Sequence, residues 1–197
     1  MGEHQTVVFD RQTLKTNAKT QIKGSIGILF VCNLIVFVIS SVAAPVFGAG
    51  FLIMPSFSIS MVMIYLALAE SARPHAGDVF NGFSLFGKAL WLSVITGFFT
   101  FAWSLLLIVP GVIKSYAYSM APYILAENPN MTAREALKES IRITNGYKSR
   151  LFVLQLSFIG WALLVPLTFG LIAIWLVPYM SAATANAYLA IKENAGQ

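Results

Sequence analysis

Charged side chains divide this chain into blocks. No Asp, Glu, Lys or Arg lies between Lys23 and Glu70, none between Arg150 and Lys192, and only Lys114 interrupts residues 89–126. A helical pass through a bilayer needs about 20 apolar residues, so each block holds two passes joined by a tight turn. The runs are continuously apolar, without the inside–outside alternation of a membrane barrel. The pattern predicts spans at 24–44, 51–70, 86–108, 111–127, 150–166 and 170–191.

The polar segments between them are also patterned. Two amphipathic helices are expected, at 10–22 and 132–145. In the second, Thr132-x-x-Glu135 forms a capping box just after Pro129. Ala133, Ala136, Leu137, Ile141 and Thr144 share one face, while Arg134, Glu135, Lys138, Glu139 and Arg142 cover the other. A helix of this kind is expected to lie in the membrane interface. In the first, Arg11, Lys15, Lys19 and Lys23 recur every four residues as a cationic stripe. The stripe can attract anionic lipid, or it can serve only to set topology.

Composition strengthens the membrane reading. The chain is 57% apolar and 11% charged, against about a quarter charged in a soluble domain. Its mean hydropathy is +0.74. The expected fold class is therefore an all-α membrane protein, a six-span helical bundle forming one domain over 1–197. Every Lys and Arg except Lys114 falls in the polar segments or at the span ends that adjoin them, with all eight acids. The expected outer turns at 45–50, 109–111 and 166–170 carry no charge. Cations collect on the cytoplasmic side, which places both termini, 71–88 and 127–150 in the cytoplasm of a multi-pass protein. No cleavable leader is expected, because the first apolar run leads straight into a second. The net charge of +5 fits anionic headgroups at a membrane edge rather than nucleic acid.

An internal plan runs through the blocks. Pro45, Pro110 and Pro166 lie at the outer turns, and Pro55, Pro122 and Pro178 lie within the helices that follow. Arg11-x-x-Leu14-Lys15 recurs as Arg134-x-x-Leu137-Lys138. At the same offset, Tyr65-Leu66-Ala67-Leu68-x-Glu70 recurs as Tyr188-Leu189-Ala190-Ile191-x-Glu193. Asn81-Gly82-Phe83 echoes Asn145-Gly146-Tyr147. These matches predict three parallel repeats, each an amphipathic helix followed by a two-span hairpin.

Several segments carry a resemblance. They are Pro110-Gly111-Val112-Ile113-Lys114-Ser115-Tyr116, Ala126-Glu127-Asn128-Pro129 with Ala136-Leu137-Lys138-Glu139-Ser140, and Asn145-Gly146-Tyr147-Lys148 with Leu156-Ser157-Phe158-Ile159-Gly160-Trp161. Together they resemble domain-of-unknown-function family 975, a family of bacterial integral membrane proteins. The resemblance runs from Arg11 to Glu193 and is densest from Pro110 onward. It implies a small multispan protein of the bacterial cytoplasmic membrane. It brings no reaction, substrate or catalytic residue.

The search for chemistry returns little. His4 and His75 lie in polar segments, Cys32 has no partner, and no cluster has metal-ligand spacing. No phosphate loop, dinucleotide fingerprint or nucleophile elbow occurs. No cofactor is expected, and the chain is not expected to be an enzyme. One polar patch stands out: Lys114, Ser115 and Tyr118 in the fourth span, with Asn186 in the sixth as a candidate partner. An ionisable residue within a span is often functional. Lys114 can equally snorkel to the outer headgroups from four residues beyond Pro110. The expected function is non-enzymatic interaction with lipids, anionic ones above all, or with a membrane partner or a second copy. The alternative is a small permease or lipid or anion transporter that uses the patch around Lys114.

Overall fold

A computed structural model describes residues 9–43, 49–106, 108–168 and 170–195. Pro45, His4, Glu3 and most of the first outer turn lie outside the described residues. Everything described is helix or connection, with no strand. The helices are α1 (Arg11–Ile22), α2 (Ile26–Ala43), α3 (Ala49–Ala69), α4 (Phe86–Leu106), α5 (Ile108–Tyr118), α6 (Ala121–Glu127), α7 (Ala133–Ile143), α8 (Lys148–Leu156), α9 (Ile159–Ala162), α10 (Leu164–Leu167) and α11 (Ala173–Ala195). A 3-10 segment, Ala76–Leu85, joins α3 to α4.

Four helical stretches are long and apolar enough to cross a membrane: Leu52–Ala69, Ala76–Leu105, Lys148–Leu167 and Ala173–Ala195. A fifth is added if α1 and α2, bent by 88° at their junction, count as one broken pass. The stretch expected as a single pass at 111–127 instead folds as two short helices, α5 and α6, that break at Ser119–Met120. Pro122 explains where the break falls. It lacks the N–H that would continue the helix, and it occupies the first turn of α6, where that N–H is not needed.

The core is built on α3 and α11. In each, 56% of the apolar window is buried, against 17% for the windows on α4 and on α8–α10. Small residues allow this on α11: Ala182, Ala183, Ala185, Ala187 and Ala190 are all buried. Small side chains of this kind let neighbouring backbones approach closely. Pro55 and Pro178 sit inside α3 and α11 and interrupt their hydrogen-bond ladders.

Two close approaches fix the neighbours. A Cβ on Gly82 would lie 2.2 Å from the Ser56 carbonyl, so only glycine lets the 3-10 segment touch α3. The Gly82 N–H donates to Ser60 Oγ at 2.8 Å, and that hydroxyl donates to the Ser56 carbonyl at 3.1 Å. A Cβ on Gly111 would lie 2.4 Å from Ser104 Oγ, which closes the α4–α5 hairpin. Gly146, the counterpart of Gly82 in the Asn-Gly-aromatic echo, is needed for another reason. It has open space around it and a φ of +85°, in the left-handed region.

The capping box of α7 forms as the sequence predicts. Glu135 Oε2 accepts from the Thr132 N–H at 2.8 Å, and the Glu135 N–H donates to Thr132 Oγ1 at 3.3 Å. The expected orientation of that helix needs correcting. Its apolar face meets the protein: Ala133, Ala136, Leu137, Ser140 and Ile143 are buried, against α4, α5 and α6. The Ser140 hydroxyl donates to the Ala117 carbonyl at 2.7 Å, with Thr144 Oγ1 3.4 Å away. The broken end of α5 leaves that carbonyl available, and α7 supplies its partner.

Candidate functional site

The four residues of the sequence-predicted patch do not come together. Asn186 faces α1, where its Nδ2 donates to Gln21 Oε1 at 2.7 Å and its Oδ1 accepts from Gln21 Nε2 at 3.2 Å. Gln21 Nε2 also lies 3.4 Å from the Ala69 carbonyl. This amide pair ties α1 to α11 and α3, and it uses the polar capacity that the sequence left open for Lys114. Ser115 Oγ donates to the Val112 carbonyl of its own helix at 2.7 Å. A hydroxyl satisfied in this way is a local helix feature rather than a ligand group.

Lys114 and Tyr118 do share a site. They line a groove of about 710 Å³ between α4, α5 and α7. Lys114 Nζ lies 5.0 Å from the centre of the Trp103 ring, within cation–π range. Tyr118 is buried against Phe99, with ring centres 6.5 Å apart. Trp91, Phe98 and Phe99 supply the apolar wall from α4 and remain well exposed. From α7 come Arg134 and Lys138, which sequence reasoning had assigned only to the outer face of an interface helix. Three cations therefore border one aromatic groove, and no acid among the described residues lines it. The i, i+4 spacing of Arg134 and Lys138 was visible in the sequence; that Lys114 would join them was not.

The acids near this end are engaged elsewhere. The Glu135 carboxyl is held below its ordinary range chiefly by the Thr132 N–H. Hydrogen bonds from Arg142 lower Glu139 in the same way, with Arg142 Nη2 at 2.6 Å from Glu139 Oε1. Glu127 accepts from the Tyr188 hydroxyl at 2.7 Å and from Lys192 at 2.6 Å, which fastens α6 to α11. Tyr123 stacks on Tyr188 with ring centres 5.3 Å apart. Nothing along the chain announces this knot beyond the recurring Tyr and Glu at helix ends.

The cationic stripe on α1 is divided. Arg11, Lys19 and Lys23 are exposed. Lys15 is half-buried, with Nζ 4.3 Å from the Phe158 ring centre and 3.4 Å from the Ser157 carbonyl. Burial, and then the nearby Arg11, push its ammonium below the ordinary lysine value. Ser157 caps the C-terminus of α8, where a cation is favoured by the helix dipole. Lys15 is thus a clasp between α1 and the α8–α9 break. Cys32 is buried, its Sγ 4.0 Å from the His75 carbonyl. Among the described residues no three His, Cys, Asp or Glu side chains gather where a metal could sit.

Residues 105–195 match the family model described as a protein of unknown function, DUF975. That match supports DUF975 as the family. The DUF975 region holds Lys114, Arg134, Lys138 and Asn186, while the α4 wall of the groove, with Trp91, Phe98 and Phe99, lies before it. No curated protein and no solved structure matches the chain.

Proposed function

We propose that this is a multi-pass protein of the bacterial cytoplasmic membrane that works without catalysis, by binding lipid or a partner protein within that membrane. The observation that carries the reading is the contrast on its surface. Phe37, Phe98, Phe101, Leu105, Leu163 and Leu167 are each at least two-thirds exposed, on helices whose middles carry no charge. Apolar exposure on that scale suits hydrocarbon as solvent and would drive aggregation in water. Exposed cations that form no salt bridge among the described residues, Arg11 and Lys19 on α1 and Arg134 and Lys138 on α7, sit at the ends of these helices, where anionic headgroups are found.

Six passes remain the best account of the topology. Residues 26–43 and 108–127 add two passes to the four continuous stretches, and packed neighbours in a bundle tolerate a break within a pass. Both termini, 71–88 and 127–150 then face the cytoplasm, and the hairpins are parallel. Reporter fusions after Ala49, Gly77, Leu167 and Gln197 should read out, in, out, in. Purification in mild detergent should recover a specific lipid or protein with the chain. Scrambled reporters, or a clean monomer indifferent to added lipid, would overturn the proposal.

A further inference from the structure

We propose that the groove between α4, α5 and α7 is a binding site for an anionic phospholipid of the cytoplasmic leaflet. Arg134 and Lys138 take the headgroup phosphate, and Trp91, Phe98 and Phe99 take the acyl chains. The inference rests on the membrane reading above and names the ligand class and the residues.

The groove has the two halves that an anionic amphiphile needs. Its α4 wall is aromatic and exposed, with Trp91 at 48%, Phe98 at 67% and Phe99 at 44%. Its α7 rim carries Arg134 and Lys138, both exposed and without an ion pair among the described residues. The arrangement is fixed, because the Ser140 hydroxyl anchors α7 to the Ala117 carbonyl one turn beyond Lys114. Lys114, held over Trp103, adds a third positive charge further along α5.

Charge complementarity selects the occupant. Three cations line the groove and, among the described residues, no acid does. A soluble anion would satisfy the cations and leave the aromatic wall bare. The acids nearest this end, Glu127, Glu135 and Glu139, already serve Lys192, Thr132 and Arg142, so the groove's own surroundings leave its positive charge for a bound anion. An anionic phospholipid satisfies both halves at once, and arginine presents a planar donor fork suited to a phosphate.

The test uses the full chain in dodecyl maltoside, titrated with phosphatidylglycerol or phosphatidylcholine carrying the same acyl chains, with bound lipid counted by native mass spectrometry. Phosphatidylglycerol should be retained at least about tenfold more tightly. The double variant Arg134→Gln/Lys138→Gln should weaken it about thirtyfold, at roughly fivefold per cation, and weaken phosphatidylcholine, whose phosphate is balanced by its own choline, by less. Phe98→Ala should weaken both lipids, and Arg73→Gln, outside the groove, neither. Circular dichroism confirms that each variant is folded. A folded double variant that keeps wild-type affinity for phosphatidylglycerol overturns the groove assignment while leaving the lipid-binding function standing. A dimer that excludes lipid from the groove also overturns it. A wild-type chain that retains neither lipid removes the lipid branch of the proposed function as well.

Discussion

The segments Arg11-x-x-Leu14-Lys15 and Arg134-x-x-Leu137-Lys138 have the same pattern and meet different ends. Leu14 and Leu137 are both buried, and Arg11 and Arg134 are both exposed. The lysines diverge. Lys15 is folded onto Phe158 and the C-terminus of α8, whereas Lys138 stays on the rim of an open groove. The downstream tyrosines diverge as well: the buried Tyr65 hydroxyl lies beside Asn33 and Ser181, while that of Tyr188 donates to Glu127. The matched leucines, arginines and tyrosines therefore share burial, but the polar groups do not share partners. Burial follows from the apolar period of the helix, and a polar partner depends on which neighbour happens to pack there.

The largest expected effects test the shared part. Leu14→Ala and Leu137→Ala should each cost about 2–5 kcal/mol, the range for truncating a buried leucine. Both should lower the thermal midpoint in detergent by a similar margin. A loss at one position alone would break the equivalence of the two helices.

The divergent part gives a smaller effect. Lys15→Met should cost about 1–2 kcal/mol, since it removes a cation–π contact and a charged donor at a helix end. Lys138→Met should stay within about 0.5 kcal/mol, as at an exposed position with no partner. Equal losses would mean that Lys138 has a structural duty in the fold, which would weaken its assignment to a ligand.

The smallest effect concerns the caps that start these helices. The Thr13 N–H lowers Asp10 on α1, and the Thr132 N–H lowers Glu135 on α7. A carboxyl held low in the folded chain contributes its full stability above its ordinary value, 3.8 for Asp10 and 4.5 for Glu135. That contribution is lost as pH falls through the lower folded-state value. Thermal midpoints should therefore hold down to about pH 4.5 and decline below it. Asp10→Asn and Thr132→Ala should each flatten the decline, and an unaltered profile in both would count against these caps.

Much of the helical plan could be read in advance because its causes are local. Long uncharged runs give apolar helices, and Thr132 with Glu135 forms its box within four residues of chain. The breaks were harder. Pro122 was noted within a span and sets where α5 and α6 part, but that Ser140 and Thr144 of α7 would meet the Ala117 carbonyl freed there could not be read from the chain. The candidate patch was legible only in part. Lys114 and Tyr118 lie four apart on one face, so their common groove follows from helix geometry. Asn186 was assigned to the wrong neighbour, since nothing in the chain announces its pairing with Gln21.

By itself the sequence determined the helical class, the apolar blocks, the cap of α7 and the side of α7 that turns inward. These depend on side-chain period, on solvent transfer and on hydrogen bonds between residues three or four apart. Tertiary structure alone decided which cations find partners: it gave Lys15 to α8 and left Lys114, Arg134 and Lys138 around one groove. Such partnerships join residues far apart in the chain. The energy of any one of them is small beside the packing of α3 and α11, which sets the helix positions and so decides which charges meet.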